Sequence, residues 1–250
     1  MENNPIIAGN WKMNKTPSEG NAFIIEIMDR LAEIKNINII LSPPFTGLYG
    51  PSLDYPFFKA AQNCHWEEKG AYTGEISVSM IKDCNAKFVI IGHSERRHVF
   101  GELDEHINLK VSAVMSGGLK PILCIGETLE QRQQNKTNSV IKSQIEKGLK
   151  GISSFENIVI AYEPVWAIGT GLTAEENQIY DAHERVRITM RELYGENLNI
   201  QVLYGGSVNS KNADSLIQIS GVDGFLIGGA SLDIESFTSI VKIVEKIQGK

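Results

Sequence analysis

The chain has 250 residues, 42% of them hydrophobic and 22% charged, with a formal net charge of −6. That length and composition fit one large or two small globular domains with a sizeable apolar core. The acidic balance argues against a nucleic-acid partner, which needs a concentrated basic face, and no apolar run approaches the roughly 18 residues of a membrane helix.

The chain opens on "MENNPIIAGN", which lacks the charged and apolar regions of a signal peptide, so no leader is expected. Residues 5–10 begin a series of short apolar runs that continues at 37–42, 57–63, 87–92, 120–126, 157–163, 199–205 and 224–229. Rich in Ile and Val and not cleanly alternating, these runs fit strands buried on both faces of a parallel sheet. Between them, 21–34, 139–149 and 174–195 carry apolar residues at three- and four-residue steps, as amphipathic helices do. "TAEE" (173–176) has the form of a capping box opening the last of these. Eight strand–helix units, with no linker or low-complexity break, predict a single (β/α)8 barrel over 1–250, eight parallel strands inside a ring of helices. An open doubly wound sheet would carry GxGxxG after its first strand, where this chain has "AGNWKMNKT".

In such a barrel, chemistry gathers at the C-terminal ends of the strands. Those positions hold Asn10 and Lys12, then His93, then Glu163, then "YGGS" and "IGGAS". A single strand-end glutamate is most often a solvated carboxylate. Pro164 tips the balance for Glu163, since it holds the preceding residue extended and ends the strand there. Shielding by Trp166 and Ile168 is expected to desolvate the carboxylate and strengthen it as a base. His93 closes its strand beside Ser94, a potential cap, where a helix start disfavours imidazolium and leaves a neutral donor for an oxyanion. His65, His98, His106 and His183 are expected to be structural. Lys12 and Asn10 are two donors able to reach one oxygen, with Glu95 placed to hold the lysine.

The turns Gly205-Gly206-Ser207 and Gly228-Gly229 suit a phosphate, because glycine lets backbone N–H groups approach an anion closely. Either pair taken singly is as readily explained as a tight turn needing positive φ. No metal-ligand or carboxylate cluster and no nicotinamide, flavin or pyridoxal signature is present, so neither metal nor cofactor is expected. Cys64, Cys84 and Cys124, odd in number and without ligand spacing, fit reduced thiols of a cytoplasmic protein. A base, several donors to one oxygen and a phosphate grip describe proton abstraction beside a carbonyl in a small phosphorylated sugar. Return of the proton to the neighbouring carbon gives an aldose–ketose isomerisation.

"GNWKMN", "AQN", "AYTGEIS", "IGHSERR", "CIGETLEQR", "YEPVWAIGTG", "YGGSV" and "GFLIGGASL" occur in order across nearly the whole chain. On these motifs the sequence resembles the triosephosphate isomerase family. The resemblance implies a TIM barrel and interconversion of dihydroxyacetone phosphate and glyceraldehyde 3-phosphate through an enediolate, in glycolysis and gluconeogenesis. It implies Glu163 as the base, neutral His93 and Lys12 polarising the carbonyl, and Asn10 as an added donor. A glutamate base, a neutral histidine and a closing loop are this family's own established pattern. It further implies backbone phosphate contacts from Gly169, Ser207, Gly228 and Gly229, a lid at 164–174, and Glu127 and Tyr204 as supporting residues. The long connection "HWEEKGAYTGEIS", extended to 65–79, is implied to insert Thr73 beside the active site of a second copy, giving a homodimer. Where many relatives have lysine after the lid's GTG, this chain has Leu172, which implies altered lid solvation or kinetics with intact chemistry. A barrel aldolase would instead show a Schiff-base lysine or metal ligands at a strand end. An inactive binding scaffold would have lost Glu163, His93 or Lys12.

Overall fold

A segment apolar on both faces is stable only when covered on both, and each of the eight runs becomes a strand with neighbours on either side. The computed structural model describes residues 4–167, 174–196 and 198–248. In order come β1 (Ile6–Asn10), α1 (Pro17–Arg30), β2 (Asn38–Ser42), α2 (Phe45–Leu48), β3 (Phe57–Ala61), α3 (Val78–Asp83), β4 (Ala86–Ile91), α4 (Ser94–His98) and α5 (Asp104–Ser116). Then follow β5 (Lys120–Ile125), α6 (Leu129–Gln133), α7 (Thr137–Gly148), β6 (Val159–Tyr162), α8 (Glu176–Tyr194), β7 (Gln201–Tyr204), α9 (Ala213–Ile217), β8 (Gly224–Ile227) and α10 (Ile234–Gln248). Short 3-10 turns occupy Val165–Ala167 and Gly229–Leu232.

The strands are parallel and close from β1 through β8 back to β1, where Ile6 pairs with Gly224, so the predicted (β/α)8 barrel is the fold. Alternation along each strand divides the apolar residues into two sets. Every strand sends one or two into a central cluster, among them Ala8, Ile40, Ala60, Phe88, Ile122 and Leu226. Their neighbours, such as Ile7, Ile39, Val89 and Ile160, pack outward with the apolar stripes of the helices. Filling the interior this way leaves room for a ligand only at the mouths.

The strands are shorter than the apolar runs; 157–163 contracts to Val159–Tyr162, so Glu163 falls one residue beyond β6. Its N–H still donates to the Ile125 carbonyl at 2.7 Å, which fixes the backbone at that point. Helix starts were harder to place from periodicity. α1 begins at Pro17, four residues before the amphipathic segment at 21–34. Thr16 caps it, and the Glu19 carboxylate accepts from the Thr16 N–H at 2.8 Å. Thr173 of the expected capping box lies outside the described residues. α8 starts at Glu176, where the Gln178 side chain accepts from the Glu175 N–H at 3.1 Å. Among the described residues no helix is long and apolar enough to cross a membrane.

Candidate active site

Asn10 is the last residue of β1, and its side-chain oxygen accepts from the Lys12 N–H at 3.1 Å, leaving the amide nitrogen as its donor. Lys12 adopts a positive φ of 53°, uncommon for a residue with a side chain, and Gln62 donates to its carbonyl at 2.9 Å. Its Nζ meets Glu95 Oε1 at 2.6 Å, the ion pair expected from the sequence.

His93 follows β4 by two residues and occupies the N-cap position of α4. Its Nδ1 accepts from the Glu95 N–H at 3.3 Å, which places the ring proton of the neutral form on Nε2. Nε2 lies 3.1 Å from Glu163 Oε1, and Glu163 Oε2 accepts from the Ser94 N–H at 3.0 Å. Both side chains are buried, His93 at 6% exposure and Glu163 at 2%. The expectation of a carboxylate strengthened by desolvation is not met in this arrangement. Burial does push the Glu163 pKa up, but His93, the Ser94 N–H and Lys12 outweigh it and hold the pKa below the usual carboxylate range. Burial disfavours the charged form of His93, and the adjoining Glu163 carboxylate more than offsets that, raising its pKa. Among the other influences on the ring, the Glu95 carboxylate raises the His93 pKa and Lys12 lowers it.

Asn10, Lys12, His93 and Glu163 share one cavity of about 270 Å³ with the turns 205–208 and 228–230. None of Gly205, Gly206, Gly228 and Gly229 lies in the left-handed region, so positive φ does not explain these glycines. Among the described residues, a Cβ at Gly229 would meet nothing within 4 Å, and one at Gly228 only the Lys12 side chain, its Cε at 3.5 Å and its Nζ at 3.9 Å. Their lack of side chains therefore leaves space that no described residue fills. The other pair does a different job. A Cβ at Gly205 would approach Glu163 Cγ to 2.8 Å, and one at Gly206 would strike the buried Tyr204 hydroxyl at 2.2 Å.

Behind the cavity, fully buried Glu127 accepts from the Tyr162 hydroxyl at 3.0 Å, Trp166 Nε1 at 3.0 Å and Arg132 at 3.0 Å. The Arg132 guanidinium also lies 4.9 Å from the centre of the Trp166 ring. The Pro164 carbonyl accepts from the Ala167 N–H at 2.7 Å, and the Ser207 hydroxyl donates to the Ala167 carbonyl at 2.9 Å. The segment after Glu163 is thus anchored to both the β5 and β7 strand ends. Ile168, Gly169, Gly171 and Leu172 lie outside the described residues. Sequence reasoning missed Tyr162, Arg132 and the Ser94 N–H; both side chains stood within the quoted motifs, Tyr162 as the last residue of β6 and Arg132 on α6. Thr73 is exposed and lines no part of this cavity within its own chain. Of the remaining histidines, fully buried His183 has Nδ1 2.9 Å from the Gly221 carbonyl.

Residues 5–244 match the family model described as triosephosphate isomerase. The chain is similar to the triosephosphate isomerase of Carboxydothermus hydrogenoformans, 45% identical over 95% of this chain and 98% of that one. It is 46% identical to that of Syntrophotalea carbinolica, over 95% and 97% of the two chains. With that of Thermodesulfovibrio yellowstonii it shares 49% identity over 95% and 98%.

Proposed function

The chain belongs to the triosephosphate isomerase family, and we propose that it interconverts dihydroxyacetone phosphate and D-glyceraldehyde 3-phosphate with Glu163 as the proton-carrying base. The observation that carries this assignment is the pairing of Glu163 with His93 at 3.1 Å in a cavity shared with Lys12 and two unfilled glycines. A substrate carbonyl entering between them takes the hydrogen bonds that His93 and Lys12 offer, and Glu163, released from His93, faces the adjacent carbon. Glu163 removes a proton there, and the electron pair of the C–H bond passes into an enediolate whose oxygen is held by His93 Nε2–H, Lys12 and Asn10. Delivery of that proton to the neighbouring carbon, with transfer of the hydroxyl proton to the former carbonyl oxygen, completes the isomerisation, so no redox equivalent or second substrate is consumed.

Backbone N–H groups of Ser207, Gly228, Gly229 and Gly169 hold the phosphate in this proposal, and segment 164–174 closes as a lid pivoting on Pro164 and Trp166. Leu172 within it changes how the lid closes and leaves the chemistry intact; lid kinetics of Leu172→Lys would test that. We extend the proposal to a homodimer formed through 65–79, in which Thr73 approaches the partner's site. Support comes from the exposure of Thr73 and Tyr72 on that loop, and of Met13 and Tyr49 on other loops. A cytosolic setting belongs to the same proposal and accords with three free thiols.

A coupled assay of wild type and Glu163→Asp with glyceraldehyde 3-phosphate tests the base. Retracting the carboxylate by one methylene is expected to cost on the order of 10²-fold in turnover, since misplacement by about 1 Å suffices for that. Equal turnover would remove Glu163 from the role.

A further inference from the structure

Lys15 is not among the residues that line the cavity, yet it joins two of the segments that build it. It follows Lys12 by three residues and, like Lys12, takes a positive φ, here 69°. Left-handed backbone at a residue with a Cβ persists only where the surroundings impose it. The surroundings of Lys15 are specific. Its Nζ lies 3.8 Å from the centre of the Phe23 ring on α1 and 5.8 Å from that of Trp11, two rings that meet edge to face. Past these rings, Nζ donates a 3.0 Å hydrogen bond to the carbonyl of Leu232, 217 residues away.

Leu232 is the last residue of the short turn Gly229–Leu232, whose first residues face the cavity. The front of that turn is fastened to itself, because the Ser231 N–H and hydroxyl both donate to the Gly228 carbonyl, at 2.9 and 2.7 Å. Ser231 also sits tightly against Gly9, where an added Cβ would come within 3.0 Å of Ser231 Cβ. The back of the turn is held by Lys15. A single side chain thus connects the loop that bears Lys12, the first turns of α1 and the glycine turn after β8.

We propose that Lys15 is a positioning residue for phosphate recognition, setting the glycine turn 228–232 at a fixed distance from Lys12. It touches no substrate. It acts by fixing where the Gly228 and Gly229 N–H groups stand, so its loss weakens the grip on the phosphate and spares the proton transfer at Glu163. The inference rests on the proposed isomerase site for its substrate and on the structure alone for the tether.

The test compares wild type with Lys15→Met, which keeps an apolar stem against Phe23 and removes the donor. Lys15→Arg restores a cationic donor, and Lys15→Leu serves as a second donor-free variant should Lys15→Met fail to fold. Loss of one such tether is expected to raise KM for glyceraldehyde 3-phosphate about fivefold and to weaken inhibition by inorganic phosphate similarly, with kcat within about twofold of wild type. Lys15→Arg should recover most of the loss, and slow turnover of unphosphorylated D-glyceraldehyde should be unchanged in every variant. A fall in kcat with KM and phosphate inhibition unmoved would overturn the proposal. So would an equal loss with D-glyceraldehyde, since both results describe general destabilisation. Direct calorimetric titration with inorganic phosphate reads the tether without turnover. A wild type that fails to isomerise would therefore defeat the functional assignment, while the phosphate comparison still decides the role of Lys15.

Discussion

Glu163 and His93 stand 3.1 Å apart, and the proposed mechanism requires that they part. Each accounts for much of the other's shift: the carboxylate raises the His93 pKa against burial, and the imidazole helps depress that of Glu163. In Glu163→Gln the opposing charge is gone, while burial and Lys12 remain. His93 is then expected to titrate at lower pH than in wild type, by nitrogen chemical shifts of the labelled ring. A His93 pKa that stays or rises in the variant would show that the Glu95 carboxylate, not Glu163, governs the ring. The four catalytic candidates could be picked out of the sequence because each lies at or within two residues of a strand end, although none of these residue types is diagnostic there alone. The glycines were legible only as a group. Sequence pattern gave Gly205, Gly206, Gly228 and Gly229 one explanation, and the structure divides them. Gly228 and Gly229 leave open space, whereas Gly205 makes room for the Glu163 side chain and Gly206 for Tyr204. Which atoms crowd a backbone depends on the register of neighbouring strands, and local composition does not encode that.

At the scale of elements, α8 is fastened to the β7 and β8 strands by two polar anchors. Arg187 donates to the Ile200 and Gly221 carbonyls and to Asp223, which in turn accepts from the Val202 N–H at 2.7 Å. One turn earlier, His183 is fully buried against the Gly221 carbonyl, and burial drives its pKa down to about 4. Its charged form is tolerated in the unfolded chain and penalised in the folded one. The unfolded state therefore binds the extra proton first, and stability falls as pH drops from about 6.5 towards 4. The full effect is about 3 kcal/mol by the linkage between pKa shift and free energy. Urea unfolding midpoints across that range should decline in wild type and decline less steeply in His183→Gln. Parallel slopes would assign the acid sensitivity elsewhere. Periodicity revealed α8 and its apolar stripe, but not this anchor, because a histidine on an apolar face carries no mark of which carbonyl it will meet. Element boundaries were blurred for a related reason. Strand ends are set by where the parallel ladder stops, and helix starts by caps such as Thr16, neither of which follows the apolar pattern.

For the whole molecule, one set of exposed apolar side chains stands on the connections that follow the first three strands. Met13 is 94% exposed after β1, Tyr49 80% just past α2, and Tyr72 44% after β3. Gln62 ties these loops together, donating at 2.9 Å to the carbonyls of both Lys12 and Ser42. An apolar surface that adjoins Lys12 in this way is a natural seat for a second copy, with burial of each large side chain contributing about 1.5–3 kcal/mol. Thr73 stands exposed on the longest of the three loops. Thr73→Glu adds a charge that a dimer would have to desolvate without a partner, at several kcal/mol by the usual cost of burying an unpaired ion. Wild type is expected to sediment as a dimer, and the variant as a monomer at the same concentrations. Its activity should fall with it, because Gln62 carries any displacement of these loops to the backbone of Lys12. Monomeric protein with full activity would separate assembly from catalysis, and dimeric protein with full activity would take Thr73 out of the interface.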